Sequence, residues 1–291
     1  MYDMKPYLLF LIVLIMPINS IIAQANQDVI TFEFGEFMVS TLSEKMSQGN
    51  TGMLVGASQD ALQKYLPDGT FPMEVNAFLV RTPDKNVLID AGLGQKLFDN
   101  LQSLEVTPEQ INVILMTHLH GDHIGGLLRD GKVAFPNADL YLSQAEYDHW
   151  IKSNNQQALN MLAAYKDKLK LFVPEELGSK KNNLFPGFQG IAAYGHTPGH
   201  TAYLIESEKS NLLIWGDVTH VMAIQMALPE VTLAFDSDTK QAIESRKKIA
   251  DYASKNKIPV GGMHIIFPAI GHIKAAQEGY EFGPFCECSG F

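Results

Sequence analysis

Residues 117–126 read THLHGDHIGG, so three of the chain's nine histidines and one aspartate fall between positions 118 and 123. The preceding run, INVILM at 111–116, is apolar and β-branched, the pattern of a strand buried on both faces. His118 and His120 therefore lie just beyond a strand's C-terminal end. If the chain stays extended there, a two-residue spacing turns both imidazoles to the same side. Gly121 permits a sharp turn, after which Asp122 and His123 can point elsewhere. One short loop can thus serve two metal ions.

Working outward, three further pieces place metal-binding residue types after strands. GHTPGH occupies 195–200, a Gly-Asp pair at 216–217 follows NLLIW, and GGMH at 261–264 follows IPV. Loops at strand ends are where layered α/β folds gather their sites. Upstream, ITFEFGEFMVST (30–41), residues 73–80 and residues 86–90 alternate in the manner of half-buried strands, which predicts β-meander material. Residues 51–72 are rich in Gly and small residues and are read as a long loop over one face, the usual place for a cover on an active site. From Gly94 onward helices and strands alternate. Thr107-Pro108-Glu109-Gln110 and Ser143-Gln144-Ala145-Glu146 carry capping signals, and Asp238 caps a helix running to about residue 255. Strands are expected around 189–194, 202–206, 211–215 and 258–263. No linker, repeat or low-complexity tract interrupts the pattern, which predicts one domain over 26–291 with sheets inside and helices outside.

Composition narrows the function. The chain has 291 residues, 46% hydrophobic and 19% charged, enough to bury a substantial core. Its formal net charge is −10, with no basic block beyond short pairs such as Lys180-Lys181 and Lys247-Lys248, which excludes nucleic acid as an expected partner. At the start, Lys5 precedes an apolar run from Tyr7 to Met16, and Ala23-Gln24-Ala25 offers a small-x-small cleavage pattern. This predicts a signal peptide over 1–25 and an exported protein, periplasmic or secreted. The run is too short to cross a bilayer, which takes roughly 20 residues, so no stable anchor is expected after cleavage. The two cysteines, Cys286 and Cys288, have one residue between them; an unstrained mutual disulfide is disfavoured and the fold does not depend on one.

HLHGDH, GHTPGH, LIWGD and the late GGMH, preceded by VLIDAGLG at 87–94, together resemble the metallo-β-lactamase superfamily in order and spacing, over nearly all of the mature chain. The resemblance implies a four-layer αββα sandwich of mixed α/β class, with metals in a cleft at one sheet edge. It implies that His118, His120 and His196 hold one metal ion, that Asp122, His123 and His264 hold a second, and that Asp217 bridges them. Five imidazoles and two carboxylates suit two Zn2+ ions, although iron, cobalt, nickel or manganese would also fit. His200 reads as support for the GHTPGH turn, His149 as surface or cleft wall, and Asp90 as a structural carboxylate. His272 competes with His264 for the last ligand position, and His264 is favoured because it directly ends an apolar strand.

The implied reaction is hydrolysis by a hydroxide shared between the metals, with Asp122 or Asp217 passing the proton onward. Asp217 stands where β-lactamases of the superfamily place a cysteine, and the tail after His264 is too short for the C-terminal domain of glyoxalase II thioester hydrolases. WGDVTHVMAIQMALPEVTLAFDSD looks most like the branch containing methyl parathion hydrolase and related lactonases. Quorum-quenching acyl homoserine lactone lactonases of the superfamily often carry a tyrosine three residues beyond the bridging aspartate. Here the position is His220, which can donate a similar hydrogen bond or serve only as cleft wall. Phe71, Trp150, Phe185, Met222, Met226 and Phe267 are expected near the mouth, some of them as core; if even a few line the cleft, the substrate is a small-molecule ester, lactone or aryl phosphotriester with an apolar portion. The competing class is a non-catalytic metal-binding protein on the same scaffold. Oligomeric state is left open, a homodimer included.

Overall fold

The computed structural model describes residues 27–179, 183–208 and 210–285. The expected leader, the Lys180-Lys181 pair and both cysteines lie outside the described residues.

Alternation along the strands explains the layers. In Thr70–Arg81, Phe78 and Val80 enter one apolar cluster while Ala77 and Leu79 enter another. The same split separates Val87 and Ile89 from Leu88, and Val113 and Leu115 from Ile114. A period of two thus sends one set toward a second sheet and the other toward helices. Both faces of this sheet are covered, so residues 74–80 and 87–89, expected to be half-buried, are buried on both sides, and 111–116 reads as a continuous apolar run.

The first sheet has seven strands, in the order Val29–Phe34, Phe37–Asn50, Thr70–Arg81, Asn86–Ile89, Val113–Leu115, Asp139–Ser143 and Leu169–Phe172. Its first half is antiparallel, and it turns parallel from Asn86–Ile89 onward. The second sheet has six, in the order Phe188–Ala192, Thr201–Ser207, Ser210–Ile214, Val260–Gly261, Ile270–Ala275 and Tyr280–Pro284. Leu97, Leu101, Ala158, Met161 and Leu162 cover the first sheet from three-turn or shorter helices. Ile249, Ala250 and Ala253 of Thr239–Asn256 join the cluster that includes the second sheet's Leu213 and Val260. The result is the αββα order that the resemblance implies. Tyr203 ties the two sheets beside the site, donating its hydroxyl to the Met116 carbonyl at 2.6 Å.

Two expectations are corrected. The run at 30–41 is a hairpin rather than one strand: the chain reverses at Gly35-Glu36, and Phe34 pairs with Phe37. Residues 51–72 are not a structureless loop. They hold the short strand Leu54–Val55 and the helix Gln59–Tyr65, whose first turn is capped by Ser58 accepting from the Ala61 N–H. Leu66 and Phe71 bury against Val221, Ile224 and Val231, so the segment packs onto the loop beyond Asp217. No helix of the described residues is long and apolar enough to cross a membrane.

Candidate metal centre

Each histidine-bearing loop leaves the end of a strand. His118 and His120 follow Val113–Leu115, Asp217 follows Ser210–Ile214, His264 follows Val260–Gly261, and His196 lies between Phe188–Ala192 and Thr201–Ser207. All seven predicted ligands meet at one sheet edge. The ring nitrogens of His118 (Nε2) and His196 (Nε2) each lie 2.9 Å from His120 Nδ1. Asp217 Oδ2 lies 3.6 Å from His118 Nε2, 3.3 Å from His196 Nε2, 3.3 Å from His123 Nε2 and 3.0 Å from His264 Nε2. Asp122 reaches the second group, with Oδ2 3.5 Å from His264 Nε2 and Oδ1 3.8 Å from His123 Nε2. Two sets of donor atoms therefore share the Asp217 carboxylate.

The outer hydrogen bonds decide what these nitrogens carry. His196 Nδ1 donates to Asp236 at 2.8 Å, His123 Nδ1 to Asp90 at 2.6 Å, and His264 Nδ1 to the Glu74 carbonyl at 2.6 Å. Thr117 Oγ1 donates to Asp90 at 2.6 Å, so it faces His118 Nδ1, 3.0 Å away, as an acceptor. A neutral imidazole has one proton, and in these four rings it is held on the outside. Four lone pairs and a carboxylate then point at one another. Such an arrangement is repulsive unless positive charge lies between them. Among the described residues, His123 Nε2 and Asp217 Oδ1 are buried without a hydrogen-bond partner. Ligand atoms about 2.0–2.1 Å from a tetrahedral zinc lie roughly 3.3 Å apart, close to the spacings here. The donor set fits divalent metal ions.

Titration behaviour follows the same geometry. Burial works against the Asp217 charge, but His123, His264, His220 and His118 more than offset it and hold the carboxyl well below its ordinary range. Asp122 is also lowered: His123 and His264 overcome the cost of burial. Burial and the neighbouring imidazoles push His118 well down and His120 to about 4. His123 and His264 resist burial, because Asp217 and Asp122 raise both. Without a cation, those two rings are where protons collect.

The remaining histidines separate. His200 is buried, donating Nδ1–H to the Ala193 carbonyl (3.0 Å) and accepting the Asp217 N–H at Nε2 (2.9 Å). It sets the turn that presents Asp217. Gly216 has φ +62°, and a Cβ there would lie 2.6 Å from His200 Nε2, so the Gly-Asp pair needs its glycine. His149 is exposed. His272 lies away from the ligands, on Ile270–Ala275, and stacks on Phe285 at 5.5 Å. His220 sits within the cluster: Nε2 is 3.1 Å from Asp217 Oδ2, the ring stacks on His264 at 4.6 Å, and Nδ1 is buried without a partner. Burial lowers it to about 4 despite Asp217. Gln225 fixes its loop by accepting the His220 and Val221 N–H groups.

A cavity of about 320 Å³ opens over these groups. Its apolar wall is Met53, Met73 and Phe235, and none of the six apolar residues expected at the mouth contributes to it. Phe71, Met226 and Trp150 are buried in core clusters, Phe185 and Met222 pack against one, and Phe267 is half-buried elsewhere. Asp236 and Glu146, which anchor the His118 and His196 loops, were also missed. Asp236 is hidden beside the capping Asp238, and Glu146 reads locally as the partner in a capping box.

Residues 70–256 match the metallo-beta-lactamase superfamily. An N-acyl homoserine lactonase from Bacillus cereus is 27% identical over 224 residues, covering 66% of this chain and 81% of that one. Among solved structures, the hydrolase AbOPH of the beta lactamase superfamily superposes with TM-score 0.80 at 26% identity, covering 90% of this chain and 99% of that one. AidC, a dizinc quorum-quenching lactonase in complex with a product, gives TM-score 0.79 at 25% identity, covering 90% and 98%. The chain belongs to the metallo-beta-lactamase superfamily as one of its metal-dependent hydrolases.

Proposed function

We propose that the chain is a dizinc lactonase that opens the ring ester of an acyl homoserine lactone, exported after loss of residues 1–25 and working as one catalytic domain over 26–291. The observation that carries the reading is the convergence of four outward-protonated imidazoles on the Asp217 carboxylate, at the floor of a cavity with an apolar wall. The lactonase relatives named above support the substrate and the metal, and favour this reading over a β-lactamase or a thioester hydrolase. His118, His120 and His196 would hold one ion and Asp122, His123 and His264 the other, with Asp217 between them.

When bound, such a pair of ions brings the pKa of water toward neutrality and polarises the oxygen of the scissile group. The chain's own residues orient the substrate and move the proton. Water adds across the lactone carbonyl, the ring C–O bond breaks, and the former ring oxygen takes a proton to leave a hydroxy acid. Asp122 faces the cavity, one-third exposed and held charged by its neighbours, and is placed to take the water's proton and return it to that oxygen. His220 lines the cavity with Nε2 3.1 Å from Asp217 Oδ2; with that oxygen given to a metal, its one N–H would be free for the carbonyl oxygen. Met53, Met73 and Phe235 take the acyl chain and exclude water.

The test loads protein beginning at Asn26 with zinc and compares initial rates on a long-chain acyl homoserine lactone and an aryl phosphotriester. The lactone is expected to turn over roughly a hundredfold faster, with His118→Ala inactive on both. Preference for the phosphotriester, or silence on both substrates, would overturn the lactonase reading.

A further inference from the structure

Glu146 is fully buried, and its carboxylate accepts four hydrogen bonds from three separate segments. Oε1 takes the Leu119 N–H at 3.1 Å and the Trp150 indole N–H at 2.5 Å. Oε2 takes the Thr197 hydroxyl at 2.7 Å and the Gly199 N–H at 3.0 Å. Leu119 lies between His118 and His120, and Thr197 directly follows His196. One side chain thus fastens the two loops that supply the three histidines of one cluster; it bonds to none of Asp122, His123 and His264, although Asp122 and His123 follow on the first of these loops. Trp150, held by the same carboxylate, packs edge-on against His120 with ring centroids 5.7 Å apart.

The helix bearing Glu146 is itself locked onto the second loop. Ser143 Oγ donates to the Gly199 carbonyl at 2.7 Å while accepting the Glu146 N–H at 3.1 Å. A Cβ at Gly199 would lie 2.1 Å from the Glu146 nitrogen, so loop and helix meet with no room for a side chain. Burial raises the Glu146 carboxyl, and its four donors pull the other way. A buried carboxylate with three of its four contacts spent on ligand-bearing loops costs more than a helix cap requires.

We propose that Glu146 is a positioning residue for the metal held by His118, His120 and His196, setting that site's affinity and acting only weakly, through the shared 118–123 loop, on the Asp122–His123–His264 site. The inference rests on the metal assignment in the proposed function. Replacing the carboxylate by an amide shows how the lock fails. Among the four donors only the Thr197 hydroxyl can reverse and accept, so an amide nitrogen settles on the Oε2 side. There it confronts the Gly199 N–H and loosens the His196 turn.

The experiment measures zinc affinity by chelator competition, one site at a time. In His264→Ala protein, which keeps the three-histidine site, Glu146→Gln is expected to weaken zinc by roughly 10–100-fold, the usual effect of losing an outer partner. In His196→Ala protein, which keeps the other site, the same change is expected to cost less than about threefold. Thr197→Val removes one donor without burying an amide and gives a smaller loss at the same site, so the test stands if Glu146→Gln does not fold. Equal weakening at both sites, or none at the three-histidine site, overturns the positioning role. If the parent proteins bind no zinc, the metal assignment itself falls and this inference with it.

Discussion

Asp90→Asn is the sharpest perturbation of the network that aims the ligands. The native carboxylate is fully buried and accepts three donors: the Thr117 N–H at Oδ1, and the Thr117 hydroxyl and His123 Nδ1–H at Oδ2. An amide offers one oxygen, so two orientations compete. With its nitrogen at the Oδ1 position, it faces the Thr117 N–H and leaves a buried donor unpaired, costing about 1–3 kcal/mol. With its nitrogen at the Oδ2 position, the Thr117 hydroxyl must turn and accept. It is then free to donate to His118 Nδ1, which drives the His118 proton onto the inward Nε2. His123, facing an N–H instead of a carboxylate, makes the same exchange. Each flipped ring replaces a lone pair by a proton, and such outer-partner losses weaken metal binding roughly 10–100-fold, or about 1.4–2.7 kcal/mol. His118 and His123 belong to different clusters, so both metals are affected. The assay pairs chelator-competition affinity for zinc with thermal melting of the metal-free protein. Zinc affinity within about twofold of the native protein, with unchanged melting, would refute the tautomer argument.

The other expectations are these. His123 and His264 have raised pKa values and must shed their protons when metal binds, so apparent affinity falls as pH drops and keeps rising above their ordinary 6.5; isothermal titrations giving a flat affinity from about pH 6 to 9 would contradict this. Gly216→Ala forces a Cβ onto His200 at positive φ, which should cost about 1–3 kcal/mol, or roughly 2–12 °C in Tm by calorimetry; an unchanged melt would show that the turn can relax. His220→Phe keeps the ring's volume and removes its N–H, and is expected to retain both metals by elemental analysis while kcat falls about 10²–10³-fold; an unaltered kcat would reduce His220 to cleft wall.

The site was largely legible because its residues are scarce types gathered in short blocks. Three histidines and an aspartate after INVILM have few alternative roles, and strands that end in GD and GGMH place the rest at the same edge. The strands were legible for the same physical reason, a period of two that the buried alternation of Phe78 and Val80 against Ala77 and Leu79 preserves. What escaped depends on partners far apart in the chain. Glu146 and Asp236 sit beside ordinary capping residues, and their partners at Leu119, Thr197 and His196 become visible only after folding. The 51–72 segment misled because Gly52, Gly56 and Gly69 dominate its composition, while a single serine at 58 starts its helix. The cavity wall was misjudged because large apolar residues default to the core, and Met53, Met73 and Phe235 differ from Phe71 and Met226 only in which way the folded chain turns them.

Metal content tests directly whether these side chains form two metal sites sharing Asp217. After exhaustive chelation, reloading with zinc and removal of excess, elemental analysis is predicted to give about two zinc ions per chain, falling to about one in His196→Ala and in His264→Ala. A single zinc in the native protein that survives both substitutions, or none at all, would rule out a pair of metal sites sharing Asp217.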